Sequence, residues 1–265
     1  MKLMKFLVGS GVAVAVAITV AAGWTHAKSA PDHRHTYLGP AISQLAQRVP
    51  PPPPGAAVIE ADRQVFRTTR ALQGSARWIE AVNDVDQSPP ALLEDFSCAA
   101  GLNLTPEVAP HLTSLLSDAG ADAAHISSRA KEKFRRNRPY VLDQGPTCGP
   151  TGSLGDFHDY PSGHTARGWT WGLVLAALLP DRRKQLTARA QAYADSRVVC
   201  GFHSPTGVGA GRTVAMLTVN SLMRDPSFRA DMKQASNELA ALKQRAHAPS
   251  ERQCQSELTL ATKPY

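Results

Sequence analysis

Residues 161–179 constrain this chain more than any other stretch. Pro161-Ser162-Gly163-His164 opens a run that is apolar nearly all round, through Trp169, Trp171, Leu173, Val174, Leu175 and Leu178. A helix without a polar face belongs at the centre of a core, covered on every side. Proline suits a helix start, and the serine and glycine leave the first backbone N–H groups open. Those amides and the helix dipole together attract an anion, which a histidine one residue further on can reach. Taken alone, the tetrapeptide reads equally as an ordinary turn into a buried helix.

Its neighbours favour the anion. Upstream, Lys131 is followed after six residues by Arg138-Pro139; downstream, Ser196-Arg197 is followed after five residues by His203. Three cations and two histidines thus bracket an anion-receptive helix start, a combination that suits phosphate.

The rest of the chain is consistent with one mainly helical domain. It has 265 residues, 43% hydrophobic and only 6% aromatic, and alternating β-branched runs are scarce. Residues 1–27 read as a signal peptide: Lys2 and Lys5 precede an apolar stretch from Leu7 to Ala22, and Thr25-His26-Ala27 offers a cleavage site. An uncleaved anchor is the alternative. Residues 28–54 read as an extended arm that carries His33 and His35 and ends in five prolines, Pro50 to Pro54. Residues 55–265 then form the helical domain. Four cysteines, all beyond the signal, fit an oxidising compartment and two disulfides whose pairing the spacing leaves open. The formal net charge of +7 favours anionic partners. No concentrated basic stripe with interleaved aromatics argues for a nucleic-acid polymer, and no finger-like Cys/His spacing argues for zinc.

Within the domain, helical periodicity is expected from Ala56 to about Val85, broken at Ser88-Pro89-Pro90. A second apolar stretch runs from Ala91 to Leu104. Thr105-Pro106-Glu107 predicts the start of a long amphipathic helix through Leu112, Leu116, Ala123 and Ile126. Arg138 lies seven positions after Lys131, which places both on one face of that helix, with Pro139 ending it. Tyr140 to Tyr160 reads as a long loop around Cys148. A helix from Pro180 ends at Gly201, leaving His203 on irregular backbone. Gly207, Gly209 and Gly211 mark a tight approach before a helix from about Thr213, and a last amphipathic helix covers Pro226 to Ala246.

These motifs resemble those of the bacterial class A non-specific acid phosphatases, within the type-2 phosphatidic acid phosphatase superfamily. The family pattern is Lys-x6-Arg-Pro, then Pro-Ser-Gly-His, then Ser-Arg-x5-His-x3-Asp. Lys131 to Pro139, Pro161 to His164, and Ser196, Arg197 and His203 match it in order. The resemblance implies an all-α bundle of the kind shared with vanadium haloperoxidases. It implies that His203 attacks phosphorus and that His164 protonates the leaving oxygen, then activates water. Lys131, Arg138, Arg197 and the backbone at Ser162 and Gly163 would hold the phosphoryl oxygens. No cofactor or metal is implied, because the cations neutralise the phosphoryl group. It also implies a Cys148–Cys200 bridge, which leaves Cys98 with Cys254.

One position departs from the pattern. The aspartate expected four residues after the nucleophile is Gly207. Either another carboxylate, such as Asp156 or Asp159, replaces it, or turnover is weak and the protein chiefly binds phosphate esters. A vanadate-dependent haloperoxidase would use the same groups, but those enzymes are generally larger. A membrane lipid phosphatase would need several spanning helices, and the run from Gly168 to Leu179 is too short for one. The reading is therefore an exported, periplasmic or secreted acid phosphatase of broad specificity for small phosphomonoesters. It has no lasting membrane association after signal cleavage, and a homo-oligomer is compatible with it.

Overall fold

The structure is a computed structural model that describes residues 36–245 and, of the tail, residues 248–250, 254, 255, 257, 259 and 265. The expected signal peptide (1–27) and the first part of the arm (28–35, with His33 and His35) lie outside the described residues. All regular structure among the described residues is helical, as the composition and periodicity predict.

The helices are α1 (Ala41–Gln47), α2 (Ala56–Thr69), α3 (Ala76–Asn83), α4 (Pro89–Ala100), α5 (Pro110–Phe134), a short α6 (Pro139–Leu142), α7 (Gly163–Leu178), α8 (Arg183–Val199), α9 (Pro205–Leu222) and α10 (Pro226–Gln244). The apolar helix α7 lies at the centre, packed on α5, α8 and α9. Trp171, Val174 and Leu175 are fully buried. Glycines set how closely its neighbours approach. A Cβ at Gly168 would lie 2.3 Å from the Tyr193 ring on α8, and one at Gly172 would lie 2.6 Å from the Ala190 Cβ.

The arm is not extended throughout. Residues 41–47 form α1, because Ile42, Leu45 and Ala46 share a face that is buried against the core. Asp122 on α5 accepts from the Tyr37 and Leu38 amides (3.1 and 3.3 Å) and fixes the entry to that helix. The proline run that follows is held by Tyr160, whose hydroxyl donates to the Pro50 carbonyl (3.1 Å).

Other boundaries differ for identifiable reasons. The helix expected to Val85 is two helices, because Gly74 adopts a left-handed φ of 80° and Ser75 caps α3 through the Trp78 amide. Helix α5 begins at Pro110 rather than at Thr105; its first-turn His111 and Leu112 amides donate to the Glu238 carboxylate of α10 (3.0 and 2.9 Å). It ends at Phe134, with Arg135 in the left-handed region at φ 44°. Lys131 and Arg138 therefore do not share a helical face. Arg138 is extended, as a residue before proline prefers. The glycines at 207, 209 and 211 lie inside α9, which starts at Pro205 behind a Ser204 cap. The two disulfides are Cys148–Cys200 and Cys98–Cys254, the pairing that the family pattern implies.

Two glycine substitutions test the packing around α7. Alanine has the higher helix propensity by about 1 kcal/mol, so Gly209→Ala, with open space around its Cβ, should stabilise by up to that amount. Gly168→Ala drives a methyl into Tyr193 and should instead destabilise by about 1–3 kcal/mol. Urea unfolding of both variants checks the opposite signs.

Candidate active site

The site is built on the first turn of α7. Ser162 caps it: its Oγ accepts from the Thr165 amide (3.3 Å), and its own N–H donates to the Gly207 carbonyl (2.9 Å). The Ser162 amide is thus already engaged, contrary to the expectation that it faces an anion. The next two amides, of Gly163 and His164, remain at the positive end of the helix dipole.

Lys131, in the last turn of α5, reaches this end. Its Nζ lies 3.6 Å from where a Gly163 Cβ would stand, which places the ammonium beside the first turn of α7. Ser127, one turn earlier on α5, borders the same point with its Cβ at 4.0 Å. Its buried Oγ has no hydrogen-bond partner among the described residues.

Arg138 enters from the other side. Its guanidinium donates to the carbonyls of Gly155 (2.9 Å), Leu154 (3.0 Å) and Phe202 (2.7 Å). It therefore pins the 143–160 loop besides carrying charge. The Cys148–Cys200 bridge ties the same loop to the end of α8. A loop of this length in a compact domain is held by such anchors.

Arg197 and His203 are brought together by the turn that ends α8. Gly201 takes a left-handed φ of 71°, and the amides of Phe202 and His203 both donate back to the Arg197 carbonyl (3.1 and 3.2 Å). This turn accounts for the spacing of the third motif. Arg197 is fully buried; one nitrogen donates to the Ala81 carbonyl (3.1 Å), while its Nε and Nη1 have no hydrogen-bond partner among the described residues. Buried donors left open in this way are costly unless an anion takes them. The motif's serine has a scaffold role instead. Ser196 Oγ accepts from Arg77 (3.0 Å) and donates to Asp84, which Arg189 holds at 2.6 Å.

The neighbours of His203 fix its tautomer. Nδ1 faces the Asp159 main-chain carbonyl at 2.7 Å, which can only accept, and Nε2 faces an Arg138 nitrogen at 3.0 Å, which can only donate. Nδ1 therefore carries the proton, and the Nε2 lone pair points among the cations. His164, the second residue of α7, has its Nε2 3.3 Å from the Val85 carbonyl, and its Nδ1 takes part in no hydrogen bond among the described residues. His203 is 3% exposed, whereas His164 and Lys131 are partly open to solvent. The nucleophile candidate is thus at the floor and the acid candidate at the mouth.

Charge and burial act together on these groups. Burial, then Arg197, His203 and Lys131, holds His164 well below the ordinary histidine value. Burial, then Arg138 and Lys131, does the same to His203. Burial, with Arg138, brings Lys131 down to about 8, still cationic in acid. Each of the five groups is within electrostatic reach of others in the set, so the structure unites the sequence-predicted residues. Nothing in the local sequence marks Val85, Asp84 or Ser127, and Asp84 and Val85 act on partners 79 to 112 residues away.

A histidine depressed below about 6.5 in the folded state takes its proton more readily when unfolded, so protons favour unfolding below that pH. His164 and His203 should therefore each cost the ligand-free protein about 1.4 kcal/mol per unit as pH falls from 6.5 towards their folded values. Asp95, raised by burial to about 7, and Asp195, raised by burial to about 6, act oppositely and lose stability as pH rises. The difference between parent and His203→Gln isolates one histidine. Urea unfolding from pH 5 to 6.5 should show a shallower pH slope in the variant, and an identical slope contradicts this account.

Comparison with known proteins agrees with this geometry. Residues 109–231, which carry every motif above, match the PAP2 superfamily. An acid phosphatase of Zymomonas mobilis is 37% identical over 232 residues, covering 87% of each chain. A non-specific acid phosphatase of Providencia stuartii is 32% identical over 91% of this chain and 98% of its own. One from Salmonella typhimurium is 32% identical over 77% and 83%. With the cations and both histidines gathered at the start of α7, the chain belongs to the PAP2 superfamily and, within it, to the acid phosphatases.

Proposed function

We propose that this protein hydrolyses small phosphomonoesters of varied leaving group through a phosphohistidine at His203, without a metal, after export from a bacterial cell. The observation that carries the reading is the tautomer of His203: a buried imidazole with its lone pair directed among Lys131, Arg138 and Arg197.

The phosphoryl group lies against the Gly163 and His164 amides, with its oxygens neutralised by the three cations. Ground-state charge and the charge of the loose transition state are both met by fixed donors, which is most of what phosphoryl transfer requires. The His203 Nε2 lone pair forms the N–P bond as the P–O bond to the leaving group breaks. Arg138, which donates to Nε2 in the free protein, turns to a phosphoryl oxygen. His164 gives its Nδ1 proton to the leaving oxygen at the mouth of the site. It then accepts a proton from the water that attacks phosphorus, the N–P bond breaks, and phosphate leaves.

An acidic optimum follows. His164 has to be protonated to act as acid, and its own surroundings resist this. A dianionic substrate and low pH both supply what the site withholds. Export rests on the basic and apolar residues 1–27 and on two disulfides. Among the described residues no helix is long and apolar enough to cross a membrane.

Hydrolysis of an aryl and an alkyl phosphate from pH 4 to 8, with chelator present, tests the reading. The parent should cleave both with an acidic optimum. His203→Ala should abolish both reactions. His164→Ala should lower kcat/KM for the alkyl ester, whose leaving group needs a proton, by about 10²–10⁴-fold and for the aryl ester much less, while kcat falls for both because water is no longer activated. A fully active His203→Ala enzyme, or activity that chelator removes, overturns the proposal.

A further inference from the structure

We infer that Asp159 is the positioning residue for His203, with Gly207 kept free of a side chain so that Asp159 can occupy that place. The inference rests on the reading of His203 as nucleophile and deepens it.

Three observations carry it. First, Asp159 meets His203 twice: its main-chain carbonyl accepts from Nδ1 at 2.7 Å, and its carboxylate Oδ1 lies 3.5 Å from the same nitrogen. Secondly, the carboxylate is fully buried and fully held. Ser204 donates to it through its amide (2.7 Å, Oδ1) and its hydroxyl (2.7 Å, Oδ2), and Arg136 Nε stands 3.3 Å from Oδ2. Arg136 is itself anchored on Asp62 of α2. Thirdly, a Cβ at Gly207 would lie 2.6 Å from the Asp159 carbonyl oxygen and 3.1 Å from Oδ1. Any side chain there would push against the group that holds His203.

Burial works against the charge on Asp159, raising its value, while Arg136, both Ser204 donors and Arg138 oppose that. The surroundings that face it are therefore built for a carboxylate. Its place near Nδ1 matters when N–P bond formation turns His203 into a cation. A neutral carbonyl fixes the ring and its tautomer, whereas only the carboxylate offsets the new positive charge. The division predicts a specific pattern: loss of the carboxylate charge should slow turnover while leaving ground-state phosphate binding to the three cations.

Asp156, three residues earlier in the same loop, does not serve. Its main-chain carbonyl accepts the Arg138 amide (2.7 Å), and no hydrogen bond or ion pair joins its side chain to His203 among the described residues.

The test is Asp159→Asn, which keeps the main chain and the shape. The expected result is a fall in kcat of about 10²–10³-fold. That is less than the roughly 10⁴-fold of the serine-protease aspartate, because the main-chain carbonyl still fixes the tautomer. KM and phosphate inhibition should stay within about threefold. A second readout needs no turnover: in protein labelled with nitrogen-15 histidine, the Nδ1–H resonance of His203, assigned with His203→Ala, should move in Asp159→Asn. A folded variant with kcat within threefold of the parent, or with that resonance unmoved, overturns the inference. If Asp159→Asn does not fold, Ser204→Ala decides, since it removes one donor and leaves the charge. A kcat lowered about threefold or more with a moved resonance supports the inference, and neither change overturns it. Absence of hydrolysis by the parent would instead sink the proposed function, with the resonance still reporting on Asp159.

Discussion

Positive charge held out of water is the constraint on which this structure depends. Lys131, Arg138 and Arg197 converge on the positive end of α7, and two histidines stand among them. Burying one unpaired ion costs several kcal/mol, and like charges raise that further. The protein meets part of the cost with carbonyl oxygens: three accept from Arg138, and Ala81 accepts from Arg197. The remainder shows as lowered values at Lys131 and both histidines. In the proposed function, a dianion entering the cradle relieves all of these at once, and the strain in the free site becomes affinity for phosphate.

The fold serves that placement. Helix α7 has to be central because it has no polar face, and its glycine contacts with α8 and those of α9 with Ser162 bring the surrounding helices close. A second buried network, Arg77, Asp84, Arg189 and Ser196, locks α3 to α8 beside Arg197. Its partner residues come from distant parts of the chain, so Arg197 of the candidate site is positioned by tertiary contacts rather than by its own helix alone.

Much of this was legible in the residues. The apolar run from Gly168 marked the central helix, and the spacings Lys131 to Arg138 and Arg197 to His203 marked one site. What was illegible depended on distant partners. Glu238 caps α5 from 126 residues away, which moved its start to Pro110. The left-handed Arg135 ended α5 before Arg138, so the two cations meet through a turn rather than along one helical face. The burial of α1 needs α5 beneath it, which a proline-rich arm does not reveal. Asp156 and Asp159 are equal candidates in sequence; the Asp159 carboxylate 3.5 Å from His203 Nδ1 separates them.

The central claim is that the Nε2 lone pair of His203 forms a bond to phosphorus. The most direct measurement is rapid quenching of His164→Ala with a labelled aryl phosphate, followed by peptide mapping. Without His164 to activate water, the intermediate should accumulate as acid-labile, alkali-stable phosphate on the peptide that contains His203. Label on another residue, or a full burst of product with no covalent phosphate, would contradict the account.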